Sequence, residues 1–556
     1  MASIAVSIFV ICGIAVTGSA QSVQSFAGSD NNITNVMPPS IMGVKYFTDG
    51  GAPGDPAKAV ERYRKAAEAG RASAQYNLGR CYYEGNGVTQ DFTKAVEWYR
   101  KAANQWNATA ENSLGLCYEK GNGVTQDFTK SAEWYRKAAN KGYAEAQYNL
   151  AVSYEYGKSA PADPAKAVEW YRKAAGKGLA IAQYNLGSCY YKGKGVPRDP
   201  AKAAELFRKA SEQGHTLAQH NLGVCYAHGF GLPKDPARAI AWWQQAALQG
   251  AAEAQYNLGV CYEYGKNVSN DPVKAVEWYQ KAAEQGHAQA QYNLSGCYTK
   301  GEGVPKDLDK AQELFLKAAE QGLAIAQYNI GVCYAKGEGK PKDPAKAVEW
   351  WRKAAEQGYA PAQNNLGLCY DKGDGVPRDL TKAVEWYQKA AKQGRASAQY
   401  NLGRCYANGE GVPRDLAKAV ELYRKSAGQG HAQAQYNLGI CYATGEGMPK
   451  DSTKAVELFI KSAGQGCADA QFTLGGCYAK GDGVPKDPAK AVELYRKAAE
   501  LGFVFAQYNL GVYYAKGEGV PKDLTKAKEW FQKAADQGHE DAREEIIKIN
   551  KKLSEE

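Results

Sequence analysis

One residue recurs on a fixed beat through almost the whole chain. Aspartate stands at Asp55, Asp91, Asp127, Asp163 and Asp199, and the same 36-residue step carries on through Asp235, Asp271, Asp307, Asp343, Asp379, Asp415, Asp451 and Asp487 to Asp523. No insertion or deletion interrupts it. Tyrosine keeps the same step, from Tyr82 and Tyr118 to Tyr478 and Tyr514, and residues 71–82 and 395–406 are the same twelve letters. The array was therefore built by duplication. A chain of 556 residues would otherwise suggest three or four unrelated domains. Self-similarity at this period points instead to stacked supersecondary units that share one continuous core.

Each unit reads as two helices. Asp163-Pro164 opens the first, with Asp as N-cap and Pro at the first helical position, where its missing N–H costs nothing. Lys166 stands where a capping box would have Glu. Ala167, Trp170, Tyr171, Ala174 and Ala175 lie on one apolar stripe at helical spacing. Gly178 ends this helix, as Gly does in every unit but the second, which has Trp106. The second helix runs from Ala182 through Gln183, Tyr184, Asn185, Leu186 and Gly187 to Tyr190, and stops at Gly193. Gly187 sits mid-helix, where glycine costs about 1 kcal/mol relative to alanine. The exceptions in its column, Ala151 and Ser295, are also small. That pattern requires a close approach to a neighbour, for which the aromatic column Tyr171, Phe207, Trp243, Tyr279, Phe315 and Trp351 is the candidate. The expected fold is all-α: a right-handed superhelical solenoid of stacked helix-turn-helix repeats.

The expected divisions follow the beat. Residues 1–20, with an apolar run from Ile4 to Val16 and small residues before Gln21, read as a signal peptide, with an uncleaved anchor as the rival. Residues 21–38 read as a linker and 39–54 as a degenerate half-repeat that caps the array. Thirteen repeats fill 55–522, and 523–556 is a partial repeat whose polar last helix closes the core. No other segment could cross a membrane. The protein is expected to be secreted or periplasmic, or in the endoplasmic-reticulum lumen if eukaryotic. Sequons at Asn32, Asn107, Asn267 and Asn293 would matter only in a eukaryotic secretory pathway. The formal charge of +10 is modest and its Lys and Arg are spread out, which speaks against a nucleic-acid partner.

The phrase formed by Ala182 to Gly187, Tyr190, Gly193, Gly195, Val196, Asp199, Lys202 and Ala203 resembles that of Sel-1-like repeats, relatives of the tetratricopeptide repeat. The resemblance covers about residues 40–550. It implies the solenoid fold and an adaptor or scaffold, of the kinds found in endoplasmic-reticulum quality control, bacterial envelope signalling and bacterium–host contact. It also implies that the second helix of each unit lines a concave binding face. The inward columns would be those of Ile181, Tyr184, Ser188, Tyr191 and Lys192, opposite the packed Ala182, Leu186 and Tyr190.

That face would carry a tyrosine ladder, including Tyr184, Tyr256, Tyr292, Tyr328, Tyr400 and Tyr436, edged by Lys192, Lys300, Lys336 and Lys372. Rigid tyrosines suit a protein or peptide partner, and the lysines an acidic one. The competing reading has the tyrosines packing between units and the lysines merely solvating a surface. A clamp for C-terminal carboxylates is disfavoured, because Val224, Val260, Val332 and Arg404 occupy the Ser188 column where the relatives' clamp has Asn.

Eleven of the thirteen cysteines form one column, from Cys81 and Cys117 to Cys477, with Cys12 and Cys467 outside it. Equivalent residues of stacked helices lie roughly 8–10 Å apart, too far for a disulfide, so buried free thiols are expected. Some relatives bridge two cysteines per unit; this chain lacks that pattern. Four of the six histidines, His215, His287, His431 and His539, share a column just after the helix-ending Gly and read as surface or cap residues. His215, His220 and His228 cluster without the company a metal site needs. Gly157-Lys158-Ser159 mimics the end of a phosphate loop, but Val152 stands where its first Gly belongs. No catalytic motif appears, and neither cofactor nor metal is expected. The leading expectation is a non-enzymatic binding scaffold; the alternatives are a host-contact factor and a carbohydrate or β-lactam hydrolase.

Overall fold

The computed structural model describes residues 55–338 and 341–555, with side chains described as far as residue 551. Within them lie 28 helices and no strand, paired into fourteen hairpins. The signal, linker and half-repeat expected over residues 1–54, with Cys12 and Asn32, lie outside the described residues. Two compact units divide between Lys234 and Asp235. The first holds five hairpins, from Pro56–Glu68 with Ala72–Glu84 to Pro200–Glu212 with Thr216–His228. The second holds nine, from Pro236–Leu248 with Ala252–Tyr264 to Leu524–Asp536 with Glu540–Glu555.

Local chemistry sets the helix boundaries. In each hairpin the first helix (A) opens on the periodic aspartate; Asp163 Oδ1 accepts the Lys166 N–H at 3.0 Å, and Pro164 takes the first helical position. Lys166, in place of a capping-box Glu, turns its ammonium back to Asp163 Oδ2 at 3.0 Å and over the Tyr154 ring at 5.7 Å. The second helix (B) ends on a left-handed glycine: Gly193 has φ 73° and donates its N–H to the Cys189 carbonyl at 2.8 Å. Two residues on, Gly195 has φ 71°, and a Cβ there would collide with the Pro164 carbonyl. Trp106 breaks the rule for helix A ends. It holds φ 67° without being glycine and leaves its ring 79% exposed, a conformation that costs about 1–2 kcal/mol.

Packing follows the expected stripe with one exchange. Ala167, Tyr171, Ala174 and Ala175 are buried, as are Ala182, Leu186 and Cys189 of the next helix, but Val168 takes the place expected of Trp170, which is half-buried with Lys173 Nζ over its ring at 3.8 Å. The mid-helix glycine is explained by the hairpin that follows it. A Cβ on Gly115 would stand 2.5 Å from the Tyr135 ring, and one on Gly259 2.5 Å from the Tyr279 ring. Each ring is fully buried, so glycine is the space that seats it. The last hairpin buries Ala542 and Ile549 of Glu540–Glu555, while most of that helix is solvent-exposed. No helix among the described residues is long and apolar enough to cross a membrane.

Candidate interaction surface

The tyrosine column of helix B lies on the seam between successive hairpins. Tyr184 packs on Phe207 with ring centroids 5.9 Å apart, Tyr256 on Tyr279 at 6.0 Å and Tyr292 on Phe315 at 5.4 Å. Tyr400 packs on Tyr423 at 6.1 Å and Tyr436 on Phe459 at 5.8 Å. Tyr328 is buried and meets Tyr359 edge-on at 5.5 Å; the other five are half-buried. Some hydroxyls are held from the next hairpin as well: Asn329 Nδ2 donates to Tyr292 at 3.2 Å, and Thr473 Oγ1 meets Tyr436 at 3.5 Å. Apart from buried Tyr328, each ring therefore contributes one face to the seam and leaves the remainder at the surface.

Histidine completes this seam where it occurs. His215 Nδ1 accepts the Ala218 N–H at 3.2 Å as the N-cap of its helix B, and its ring stacks on Tyr184 at 4.8 Å. His287 and His431 cap in the same way and stack on Tyr256 and Tyr400 at 4.9 and 5.0 Å. They are caps, as expected, but half-buried ones rather than surface residues. Burial pushes the His215 imidazole down to about 4, which keeps Nδ1 free to accept.

The lysine column edges the same helices. Lys192, Lys336 and Lys372 are exposed and Lys300 is half-buried. Two of them meet acids of their own loops, Lys300 with Glu302 at 3.5 Å and Lys336 with Glu338 at 3.6 Å. Of the other inward columns, Tyr191 is buried and reaches Phe230 at 6.0 Å, while Ser188 Oγ donates to the Tyr184 carbonyl at 3.1 Å. Arg404, which fills the clamp column, is committed to Asp371 and to Glu410. Lys158 of the phosphate-loop mimic pairs with Glu119 at 2.6 Å.

Two constellations escaped the sequence reading. One is a glutamine relay. Gln255, buried, donates Nε2 to the Ala247 carbonyl at 3.1 Å and accepts at Oε1 from Gln285 of the next hairpin at 2.7 Å. The same bonds recur at Gln291 with Gln321, Gln327 with Gln357 and Gln435 with Gln465. Where Glu111 replaces the first glutamine, Lys141 replaces the second, and the bond becomes an ion pair at 2.6 Å. Where Leu501 replaces the second, Gln471 Oε1 is left buried without a partner. The signal was a pair of glutamine columns in fixed register from one hairpin to the next, with one charge-swapped exception. The other constellation is an acid column near the end of helix B: Glu119, Glu155, Glu263 and Asp371, each accepting a hydrogen bond from a tyrosine hydroxyl.

No cysteine among the described residues is in a disulfide, and burial pushes Cys117, Cys189 and Cys225 up to about 12. These are inert packing thiols, as expected. Among the described residues no group of three or more His, Cys, Asp or Glu could hold a metal ion. Asn107 of the sequons is a helix N-cap, accepting from Ala110 at 2.9 Å, and Asn293 donates to the Tyr279 hydroxyl at 3.1 Å.

The Sel1 repeat family model matches the chain in fourteen successive stretches, from residues 42–70 to 504–539. A typical stretch, 144–179, runs from a helix B through the next helix A. The crystal structure of c5321, a protective antigen present in uropathogenic Escherichia coli strains displaying an SLR fold, is 35% identical; the match covers 88% of this chain and 97% of that one, with a TM-score of 0.60. A Sel1 repeat protein from Oxalobacter formigenes is also 35% identical over 55% of this chain and 92% of its own, with a TM-score of 0.42. The immunity protein Pa5087 from Pseudomonas aeruginosa is 26% identical over 38% of this chain and 81% of its own, at a TM-score of 0.26. No curated protein matches the chain.

Proposed function

From the premise that this chain belongs to the Sel1 repeat family, we propose that it is an extracytoplasmic scaffold that binds a protein or peptide along the tyrosine seam. Sel1 repeat proteins are in general non-enzymatic scaffolds, and the helical-repeat architecture suits protein–protein interaction. The observation that carries the reading is the row of half-buried tyrosines, each clamped on one side by the next hairpin. A ring immobilised before binding loses little entropy on contact, which is what makes tyrosine an effective anchor. The apolar run Ile4 to Val16 supports export.

The test is capture of a native partner by the full chain. Leucine in place of Tyr292 and Tyr436 keeps apolar volume on the seam but removes the aromatic surface, and should abolish capture. Capture that persists in a folded double variant would remove the seam as the binding surface. Likeness to a protective antigen of a pathogen favours host contact as the second reading. It predicts the protein in the culture medium; retention of all of it within the envelope would count against that reading.

A further inference from the structure

The seam changes character over its last three hairpins. Phe472 stands in the tyrosine column, so the ring there has no hydroxyl. Phe503 stands where His215, His287 and His431 cap their helices, and Leu501 where the relay has glutamine. Phe505 follows at the second position of its helix B, Val504–Lys516. The rings form one continuous cluster. Phe472 lies 5.1 Å from Phe503 and 6.4 Å from Phe505, and Phe503 lies 6.1 Å from Phe505. Phe505 in turn meets His539 at 5.8 Å, and His539 stacks on Tyr508 at 4.4 Å. Although these rings pack on one another, Phe505 is left 59% exposed and Leu501 61%.

Acids flank this cluster on both sides. The column of Phe505 holds Asp469 one hairpin earlier and Asp541 one hairpin later, each at the second position of its own helix. Stacked helices lie roughly 8–10 Å apart, which sets the distance from Phe505 to either flank. Glu544 takes the ladder position in the last helix. Asp469 is half-buried, and Asp541 and Glu544 are exposed. Burial raises the Tyr508 hydroxyl above its ordinary range and Glu545, Asp541 and Glu544 add to it, which agrees with acids standing beside the rings. Among the described residues no Lys or Arg pairs with Asp469, Asp541 or Glu544. Lys548 is taken by Glu545 at 2.7 Å, and Arg543 lines a recess with Gln532 and Asp536. Lys516 stands at the opposite end of the helix that carries Phe505, about 16 Å away at 1.5 Å per residue.

We infer that this end of the seam docks a polypeptide segment that carries a bulky apolar side chain between basic residues. The apolar side chain lies on Phe505 and Leu501, and the basic groups reach Asp469 on one side and Asp541 and Glu544 on the other. An extended chain advances about 3.3 Å per residue, so basic residues about three positions to either side of the anchor match the spacing of the column. The carboxylates also set the class of partner. Nucleic acids and anionic lipid surfaces present phosphates that these acids repel, whereas lysine and arginine are attracted. Rings already packed on one another lose little entropy on contact. The inference rests on the scaffold reading only in taking the ligand to be a polypeptide, and its chemistry is the reverse of what the lysine edge suits.

The full chain is titrated, by saturation-transfer NMR, with a capped peptide that has a central tryptophan, an arginine about three positions to either side and serine elsewhere. The peptide should bind, and more weakly as salt is added. An analogue with glutamate in place of both arginines should not bind. Phe505→Ser should weaken binding at least about tenfold, as loss of an interface anchor does. Asp469→Asn combined with Asp541→Asn should weaken it and flatten its salt dependence. Leu501→Gln, which restores the relay and so keeps the fold, should weaken it as well. Ile460→Ser, at an exposed apolar position of a helix A, should leave binding unchanged. No binding, equal binding of the glutamate analogue, or binding indifferent to Phe505→Ser, Leu501→Gln and the double variant would overturn the assignment. Failure of partner capture with peptide binding intact would count against the tyrosine seam alone.

Discussion

The two units use the same backbone and differ in loop charge: at one loop position the first has Asn86, Asn122, Lys158, Lys194 and Phe230, with no acid among them. In the first, two of the five helices B carry a member of the acid column near their end, Glu119 and Glu155, and the loop of the following hairpin supplies Lys158 and Lys194 to neutralise them. In the second, seven of the eight loops between its hairpins have an acid at that position, Glu302, Glu338, Asp374, Glu410, Glu446, Asp482 and Glu518, and the first has Lys266. The glutamine relay and the left-handed loop glycines are common to both. The loop charge is therefore not demanded by the hairpin. Lys158 and Lys194 pair with the preceding hairpin, whereas Glu302 and Glu338 pair with a lysine of their own helix B.

The comparison breaks most sharply at the mid-helix glycines. Gly115→Ala in the first unit and Gly259→Ala in the second should each cost about 2–3 kcal/mol by overpacking against a buried tyrosine. Gly296→Ala should instead gain about 1 kcal/mol from helix propensity, and thermal melting distinguishes them. A loss at Gly296 equal to that at Gly259 would mean that Gly296 is packed against a neighbour as Gly259 is. The loop charges come next. Lys158→Glu should cost about 2 kcal/mol by leaving largely buried Glu119 facing a second carboxylate, whereas Asp482→Lys should stay within about 0.5 kcal/mol. Equal effects on denaturant midpoints would erase the distinction between the units.

Smaller effects test what the units share. Trp106→Gly should stabilise the first unit by about 1 kcal/mol by relieving the left-handed conformation. Leu501→Gln in the second should gain about 0.5–1 kcal/mol by giving buried Gln471 Oε1 the donor it lacks. In the first unit His215 should titrate by NMR with a midpoint of about 4. Because that value lies below its unfolded one, the stability it contributes is complete above pH about 6.5 and declines as pH falls toward 4. A midpoint near 6.5 would mean that the cap and the stack do not hold in solution.

Much of this was legible in advance. Asp163-Pro164, Gly178 and Gly193 announced helix limits, and the recurrence of Gly187 announced a close approach to an aromatic ring. The cysteine column was read as buried thiols, and it holds no disulfide, with nine of its eleven members buried and Cys333 and Cys477 half-buried. The site was less legible. The tyrosine ladder was left between two readings; the structure places its rings in the seam between hairpins, with Tyr328 buried and the other five half-buried. The lysine edge gave no hint that Glu302 and Glu338 would meet it. His215 looked like an exposed cap until its ring was placed on Tyr184.

By itself the sequence determined the period, the caps and the burial stripe, since each depends on residues within about four positions of one another along a helix. Only the tertiary structure decided which columns meet across hairpins: Gln255 with Gln285, Glu119 with Lys158, Asp371 with Arg404. Those partners belong to successive hairpins, far beyond the reach of a single helical turn. Which one a side chain finds is set by the stacking register and by rotamers chosen in the packed seam. That Glu119 takes its cation from a loop and Asp371 from a helix can be recognised only once that register is known.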